Sequence, residues 1–197
     1  MGRPPLIDRE LVLATALELA DEHGLEALTM GAVARQLGVT PMALYRHVGN
    51  KADLVDGVVE LLLTQMPEPS PALPWSERLT DLASGILRTA RRHPNVFPVL
   101  LQHPVTTSGA RRARRAVYAA LADAGVPADR VAQVERLVST AVLGFAVSDV
   151  AGRFRRHSRR QVDEDFDVLL ALLGRFVASE VDGSSEGPAR SDPARQR

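Results

Sequence analysis

Gly38-Val39-Thr40-Pro41 leaves the backbone few choices. Glycine suits the left-handed conformation just past a helix end, and threonine is a favoured N-cap. Proline at the first helical position gives up an N–H that would be unpaired there anyway. Val39 alone separates the stop from the next start, so the spacing predicts helix, tight turn, helix. The flanks agree. Thr29 precedes Met30, Val33, Ala34 and Leu37, the buried face of one short helix. Leu44 and Val48, four apart, are the large aliphatics of the next, which is over by Gly49. Asn50, with Asp53 three residues on, starts another helix in near capping-box fashion; it carries Leu54, Val58, Leu61 and Leu62 to about Met66. Upstream, Asp8 and Gly24 bracket a first helix ending at His23, with Ile7, Leu11, Ala14 and Leu17 as its apolar stripe.

No alternating strand pattern appears in the rest of the chain, and Gly and Pro punctuate segments of helical length. The fold class is therefore all-α. Helices are expected at roughly 76–92, 95–102, 108–124, 127–152 and 161–181. "PEPSPALP", residues 67–74, holds four prolines in eight positions and reads as a hinge. The expected organisation is a small N-terminal domain over residues 1–66, the hinge, a larger helical domain over 75–181, and a polar, disordered tail over 182–197.

Several function classes are excluded early. The chain has no cysteine, which removes disulfides, thiol catalysis and cysteine metal sites. The N-terminus lacks the apolar stretch of a secretory signal and no run of 18 apolar residues exists, so a cytoplasmic protein without a membrane partner is expected. The net charge is zero, but its distribution is uneven. Residues 1–66 hold five basic and nine acidic side chains, yet residues 29–51 contain Arg35, Arg46, His47 and Lys51 and no acid.

Within that window Tyr45, Arg46 and His47 stand in a row on the short helix. Three short helices with a glycine-containing turn between the second and third make a helix-turn-helix, whose last helix enters the DNA major groove. With Leu44 and Val48 facing inward, Thr40, Pro41, Met42, Ala43, Tyr45, Arg46 and His47 are left to face DNA. Arg46 presents a guanidinium fork suited to a guanine edge. Met42 and Ala43 can pack on a thymine methyl, while Thr40, Tyr45 and His47 can reach phosphate oxygens. Lys51 adds a charge where a helix start already favours an anion. Arg3, in the N-terminal arm, is a candidate for a minor groove.

"LTMGAVARQLGVTPMALYRHVGNKADLVDGVV" strongly resembles the DNA-binding segment of the TetR family of transcriptional regulators, especially its tetracycline-repressor-like branch. The likeness covers residues 8–66, with "LGV" and "LYRHVGNK" its most specific parts. It implies an all-helical homodimer, in which a fourth helix links the helix-turn-helix to a ligand-binding and dimerisation domain. Its partners would be double-stranded operator DNA and a small-molecule effector, with no cofactor and no metal. Carried over by position, phosphate contacts fall on Thr29, Tyr45, His47 and Lys51, and base contacts on Pro41, Met42, Ala43 and Arg46. The sequence departs from the tetracycline repressors at Gly31, where they place an arginine, and at Pro41, where they place a glutamine. Arg46 is thus the expected main base reader.

Beyond residue 75 the likeness is limited to helix number and length. Val131, Val134, Val138, Ala141 and Phe145 form one stripe, and Phe166, Leu169, Leu170, Leu173 and Val177 another. Such stripes ordinarily mean core. The resemblance implies that these two helices pair with their copies in a dimer, which makes Val131, Val134, Val138, Phe145, Phe166, Leu169, Leu170 and Leu173 the interface candidates. A second stripe, Leu137, Thr140 and Gly144, would then face its own domain. A ligand pocket is likewise implied by the resemblance, and Trp75, Phe97, His103, Tyr118 and Thr140 are its candidates, mixing apolar walls with polar handles. Arg153, Arg155 and Arg156 follow a helix end and Asp163, Glu164 and Asp165 begin the next, as helix dipoles favour. Arg111, Arg112, Arg114 and Arg115 read as a solvated face. His93 and His103 precede prolines and read as helix termini.

The five scattered histidines show no metal spacing, and no phosphate loop or nucleophile elbow occurs, so no catalytic activity is expected. The leading reading is a sequence-specific regulator, a repressor released from a palindromic operator by a small molecule. Two rivals remain at this level. A DNA binder without ligand control would have a sealed C-terminal core, and a protein-interaction module would show no salt-sensitive DNA binding.

Overall fold

The structure, a computed structural model, describes residues 7–66, 68–101 and 108–182. Arg3, His103 and the tail beyond residue 182 lie outside the described residues. Among the described residues eight α-helices occur: α1 (Arg9–His23), α2 (Met30–Gln36), α3 (Pro41–Leu44), α4 (Lys51–Thr64), α5 (Trp75–Arg92), α6 (Ser108–Ala124), α7 (Val131–Val150) and α8 (Arg159–Asp182). The short segments Leu25–Ala27 and Phe97–Leu101 are 3-10 turns. The second replaces the α-helix expected at 95–102, because prolines at 94 and 98 deny that stretch two backbone donors.

Side chains close to the helix start set the boundaries of α1, α2 and α4. Asp8 accepts the Leu11 N–H at 2.8 Å, Thr29 that of Ala32 at 3.1 Å, and Asn50 that of Asp53 at 3.0 Å. Gly24 and Gly38 take φ of 79° and 68° at the ends of α1 and α2, where a side chain would be strained. Thr40 starts α3 in extended backbone without a side-chain capping bond. Asp53 reaches one residue further back than a standard capping box, accepting the Gly49 N–H at 2.7 Å.

Val12, Ala16, Val33, Leu44, Val48, Leu54, Val58 and Leu62 close a first core among α1–α4, which Val96 also enters. The buried face of α1 is displaced by one position from the expected stripe. Val12, Thr15, Ala16 and Ala20 are buried with Leu17, whereas Leu11 is exposed. Packing of α1 on α4 is close at Gly57, where an added Cβ would lie 2.4 Å from a Leu13 methyl.

Two further cores lie among α5–α8, one around Leu87, Phe97, Val142 and Phe166, the other around Leu121, Val131, Val134, Val138 and Val177. α7 is long and apolar enough by composition to cross a membrane; here it packs against α5, α6 and α8. Val131, Val134, Val138 and Phe166 are buried within the single chain, so the stripe expected to meet a partner is core. The half-buried Phe145, Leu169, Leu170 and Leu173 pack on the same cores. The outward residues are those expected to face inward: Leu137, Thr140 and Gly144 are exposed, together with Val168 and Leu172 on α8.

Candidate DNA-contact face and effector cavity

Regular helix in α3 ends at Leu44, so Tyr45, Arg46 and His47 occupy the turn after it rather than the helix body. That turn stays helical in character, with His47 and Val48 both donating to the Leu44 carbonyl at 2.8 and 2.9 Å. Leu44 and Val48 are buried, as their spacing requires. Everything between and before them turns outward. Met42 is 73% and Tyr45 49% exposed; Thr40, Pro41 and Arg46 are exposed, and Ala43 and His47 half-buried. Thr29 and Lys51, each beside a helix start, are exposed as well. An exposed Met beside an exposed Tyr is an unusual use of solvent-facing surface.

Arg9 holds this turn. Its Nη1 donates to the His47 carbonyl at 2.6 Å, and its guanidinium takes the Asp53 carboxylate through two bonds of 3.1 and 3.4 Å. The hydrogen bond from Arg9, then that from the Gly49 N–H, keep the Asp53 carboxyl below the usual carboxylate range despite some desolvation. The acid nearest the acid-free window is thereby paired with a base. Arg9 had no local signature, since its partners lie 38 and 44 residues away.

A cavity of about 400 Å³ opens between α4, α5, α6 and α7. Its walls are aliphatic: Val59 and Leu63 from α4 with Met66 just past its end, Leu82 and Ile86 from α5, and Leu100, Ala113, Val117 and Leu143 beyond. Arg114, Glu135, Arg136, Ser139 and Thr140 supply the polar groups. Of the expected pocket residues that are described, only Thr140 lines it; His103 lies outside the described residues. Trp75 borders a second cavity of about 240 Å³ between α5, α7 and α8. Phe97 is fully buried core, and Tyr118 packs in the third core under Arg114. The sequence reading missed Glu135 and Ser139, whose one signal was polarity within an apolar helix.

α4 belongs to both regions, because Leu54, Val58 and Leu62 sit in the first core while Val59 and Leu63 form part of a cavity wall. Further contacts bind the two regions. Glu60 accepts hydrogen bonds from the Ser108 hydroxyl and the Gly109 N–H at the start of α6. Arg112 is no solvated side chain; it donates to the Leu63 and Thr64 carbonyls at 3.3 and 3.4 Å. His93 ends α5 but is buried, with Nδ1 2.5 Å from an Asp21 carboxylate oxygen and Nε2 3.2 Å from Gln65 Oε1. Asn95 donates to the Asp21 carbonyl at 2.6 Å.

At the α7–α8 junction the dipole reading holds only in part. α8 starts at Arg159, so Arg159 and Arg160 occupy its first turn, paired with Asp149 at 3.0 Å and Glu164 at 2.8 Å. Asp163, in the following turn, pairs with Arg91 at 2.6 Å.

Known proteins align with this geometry over both regions. Residues 12–58 match the family described as bacterial regulatory proteins, tetR family, and residues 79–173 match the tetracyclin repressor-like C-terminal domain. The HTH-type transcriptional repressor DrrR1 of Streptomyces coeruleorubidus is 29% identical over 90% of this chain and 67% of its own length. The class C tetracycline repressor protein of Escherichia coli is 47% identical over 29% of the chain and 26% of its own length. The chain thus spans about two thirds of the first relative, and the second likeness is confined to one segment. BioQ of Mycobacterium smegmatis superposes with a TM-score of 0.75 at 25% identity, covering 88% of this chain and 99% of that one. A BioQ structure with its double-stranded DNA operator does so with a TM-score of 0.73 at 27% identity and the same coverage. With both the helix-turn-helix segment and the helical body matched, the chain belongs to the tetR family of bacterial regulatory proteins.

Proposed function

We propose that the protein is a transcriptional repressor that binds a two-fold operator as a homodimer and leaves it when a small molecule fills the cavity. Residues 1–66 serve as the DNA-binding unit, 67–74 as the connector and 75–181 as the effector and dimer unit. The observation that carries this reading is the exposed Pro41–His47 face anchored by buried Leu44 and Val48 and kept free of acid. Arg46 reads a guanine edge, and Met42 and Ala43 meet neighbouring bases. Thr29, Thr40, Tyr45, His47 and Lys51 hold phosphates. Thr29 accepts its capping bond, which leaves its hydroxyl hydrogen for a phosphate oxygen.

Two half-sites lie about one DNA turn, roughly 34–36 Å, apart for proteins of this class. The outward apolar residues Leu137, Val168 and Leu172 form the surface through which two chains set that spacing. Because α4 walls the cavity and also packs under the DNA-binding face, an occupant that prefers one α4 position shifts the spacing. Only such a differential affinity moves the equilibrium. No catalytic role is assigned, and the site of action is the cytoplasm.

The test is selection of bound sequences from a random DNA pool with purified full-length protein at moderate salt. Enrichment of a two-fold-related sequence is expected. Absence of enrichment, with no binding at low salt, would refute the reading and point to a protein partner.

A further inference from the structure

The polar groups of the 400 Å³ cavity are arranged unequally, and the buried one is acidic. Glu135 is 9% exposed. Its Oε1 accepts the Ser139 hydroxyl at 3.2 Å. Its Oε2 has Arg114 Nε at 3.7 Å, beyond hydrogen-bond reach. Arg114 is 47% exposed in its side chain and is committed elsewhere: Nη2 donates to the Tyr118 hydroxyl at 3.0 Å, and the guanidinium lies 5.2 Å over the Tyr118 ring. Arg136 is exposed at the rim. A carboxylate on an aliphatic wall, with one neutral hydrogen bond and one loose ion pair, is under-compensated for its loss of water.

An anion entering this end would meet the Glu135 charge where the surroundings screen it least, while the two guanidiniums face solvent and are screened. A protonated amine would instead donate charge-assisted hydrogen bonds to Glu135 Oε2, with the Thr140 hydroxyl on the same wall as a second acceptor. We propose that the cavity selects cationic amphiphiles: molecules with an aliphatic or alicyclic body and a protonated amine seated on Glu135. This assignment rests on the reading of the cavity as the effector site.

Three probes of one chain length separate the two readings: decylamine, 1-decanol and decanoate, titrated calorimetrically into the full-length protein near neutral pH. Decylamine is expected to bind about tenfold tighter than decanoate, the size of one added charge-assisted contact. Glu135→Gln should bring the two within about threefold, while 1-decanol, which does not depend on the charge, still binds. Ser139→Ala, which keeps the carboxylate, should preserve the amine preference, so loss of preference by misfolding is distinguishable from loss of charge. Decanoate binding tightest, or an amine preference that survives in Glu135→Gln, would overturn the charge assignment and leave the cavity as a binding site. Failure of all three probes, 1-decanol included, would overturn the effector-site reading as well.

Discussion

The two halves of the chain differ in how their helix starts are fixed, although α1–α4 also has a long tie from Arg9 to His47 and Asp53 across 38 and 44 residues. In α1–α4 each of three helix starts is set by a side chain three residues from its acceptor or donor: Asp8 with Leu11, Thr29 with Ala32, Asn50 with Asp53. In α5–α8 the defining polar contacts join distant segments, such as Arg78 to Asp123, Arg130 to Glu180 and Arg91 to Asp149, separated by 45 to 58 residues. α5 and α7 have no side-chain cap at all. Short-range chemistry places helix ends wherever it occurs; long-range chemistry decides which faces meet.

The sharpest way to break this comparison is to ask whether caps or core stabilise the N-terminal half. Leu54 is fully buried, and Leu54→Ala should cost about 2–5 kcal/mol of unfolding free energy, measured by urea denaturation. A loss below about 1 kcal/mol, the typical worth of one N-cap, would mean that local caps and not packing hold this unit.

Arg46→Ala probes surface instead of core. It should cost about 1–3 kcal/mol in affinity for the selected operator and relax preference at one base pair, with the melting temperature unchanged. Equal loss on specific and random DNA would refute base reading. His93→Ala tests a long-range tie. It strands the part-buried Asp21 carboxylate, whose Oδ1 already lacks a partner, and should cost about 1–3 kcal/mol. A silent substitution would show that the contact between α5 and α1 contributes nothing to their docking.

The smallest effect belongs to Asp53. Arg9 and the Gly49 N–H hold its folded carboxyl below its unfolded value, so its contribution is complete above the unfolded value and is lost as pH falls through the folded one. Its side chain is 40% exposed, which limits the gain to below about 1 kcal/mol. Asp53→Asn should flatten the acid limb of the stability–pH curve; an unaltered limb would count against the Arg9–Asp53 pair.

Legibility followed the same division. The turn at Gly38, the caps at Asp8, Thr29 and Asn50, and the inward Leu44 and Val48 were readable because cause and effect are neighbours in the chain. The faces of α7 were not. It carries apolar residues on more than one face, so the Val131-Val134-Val138 and Leu137-Thr140-Gly144 stripes cannot be assigned inward or outward until the positions of α6 and α8 are known. The same ambiguity moved the stripe of α1 by one residue. Trp75, Phe97 and Tyr118 were plausible pocket residues by type, yet the cavity formed where small and aliphatic side chains left room. Arg9 acquires meaning only through partners far along the chain, and Glu135 through the cavity that it lines.

The double membership of α4 sets a rule for anyone recombining regulators of this kind. Val59 and Leu63 would travel with a transplanted DNA reader, so a chimera cut after α4 inherits a foreign part of the chemical sensor's wall. A cut before Lys51 would spare the sensor but sever Leu54, Val58 and Leu62 from the partners they were fitted to. Reader and sensor in this chain are therefore not interchangeable parts, and a change in what the protein detects is expected to retune how firmly it grips its target.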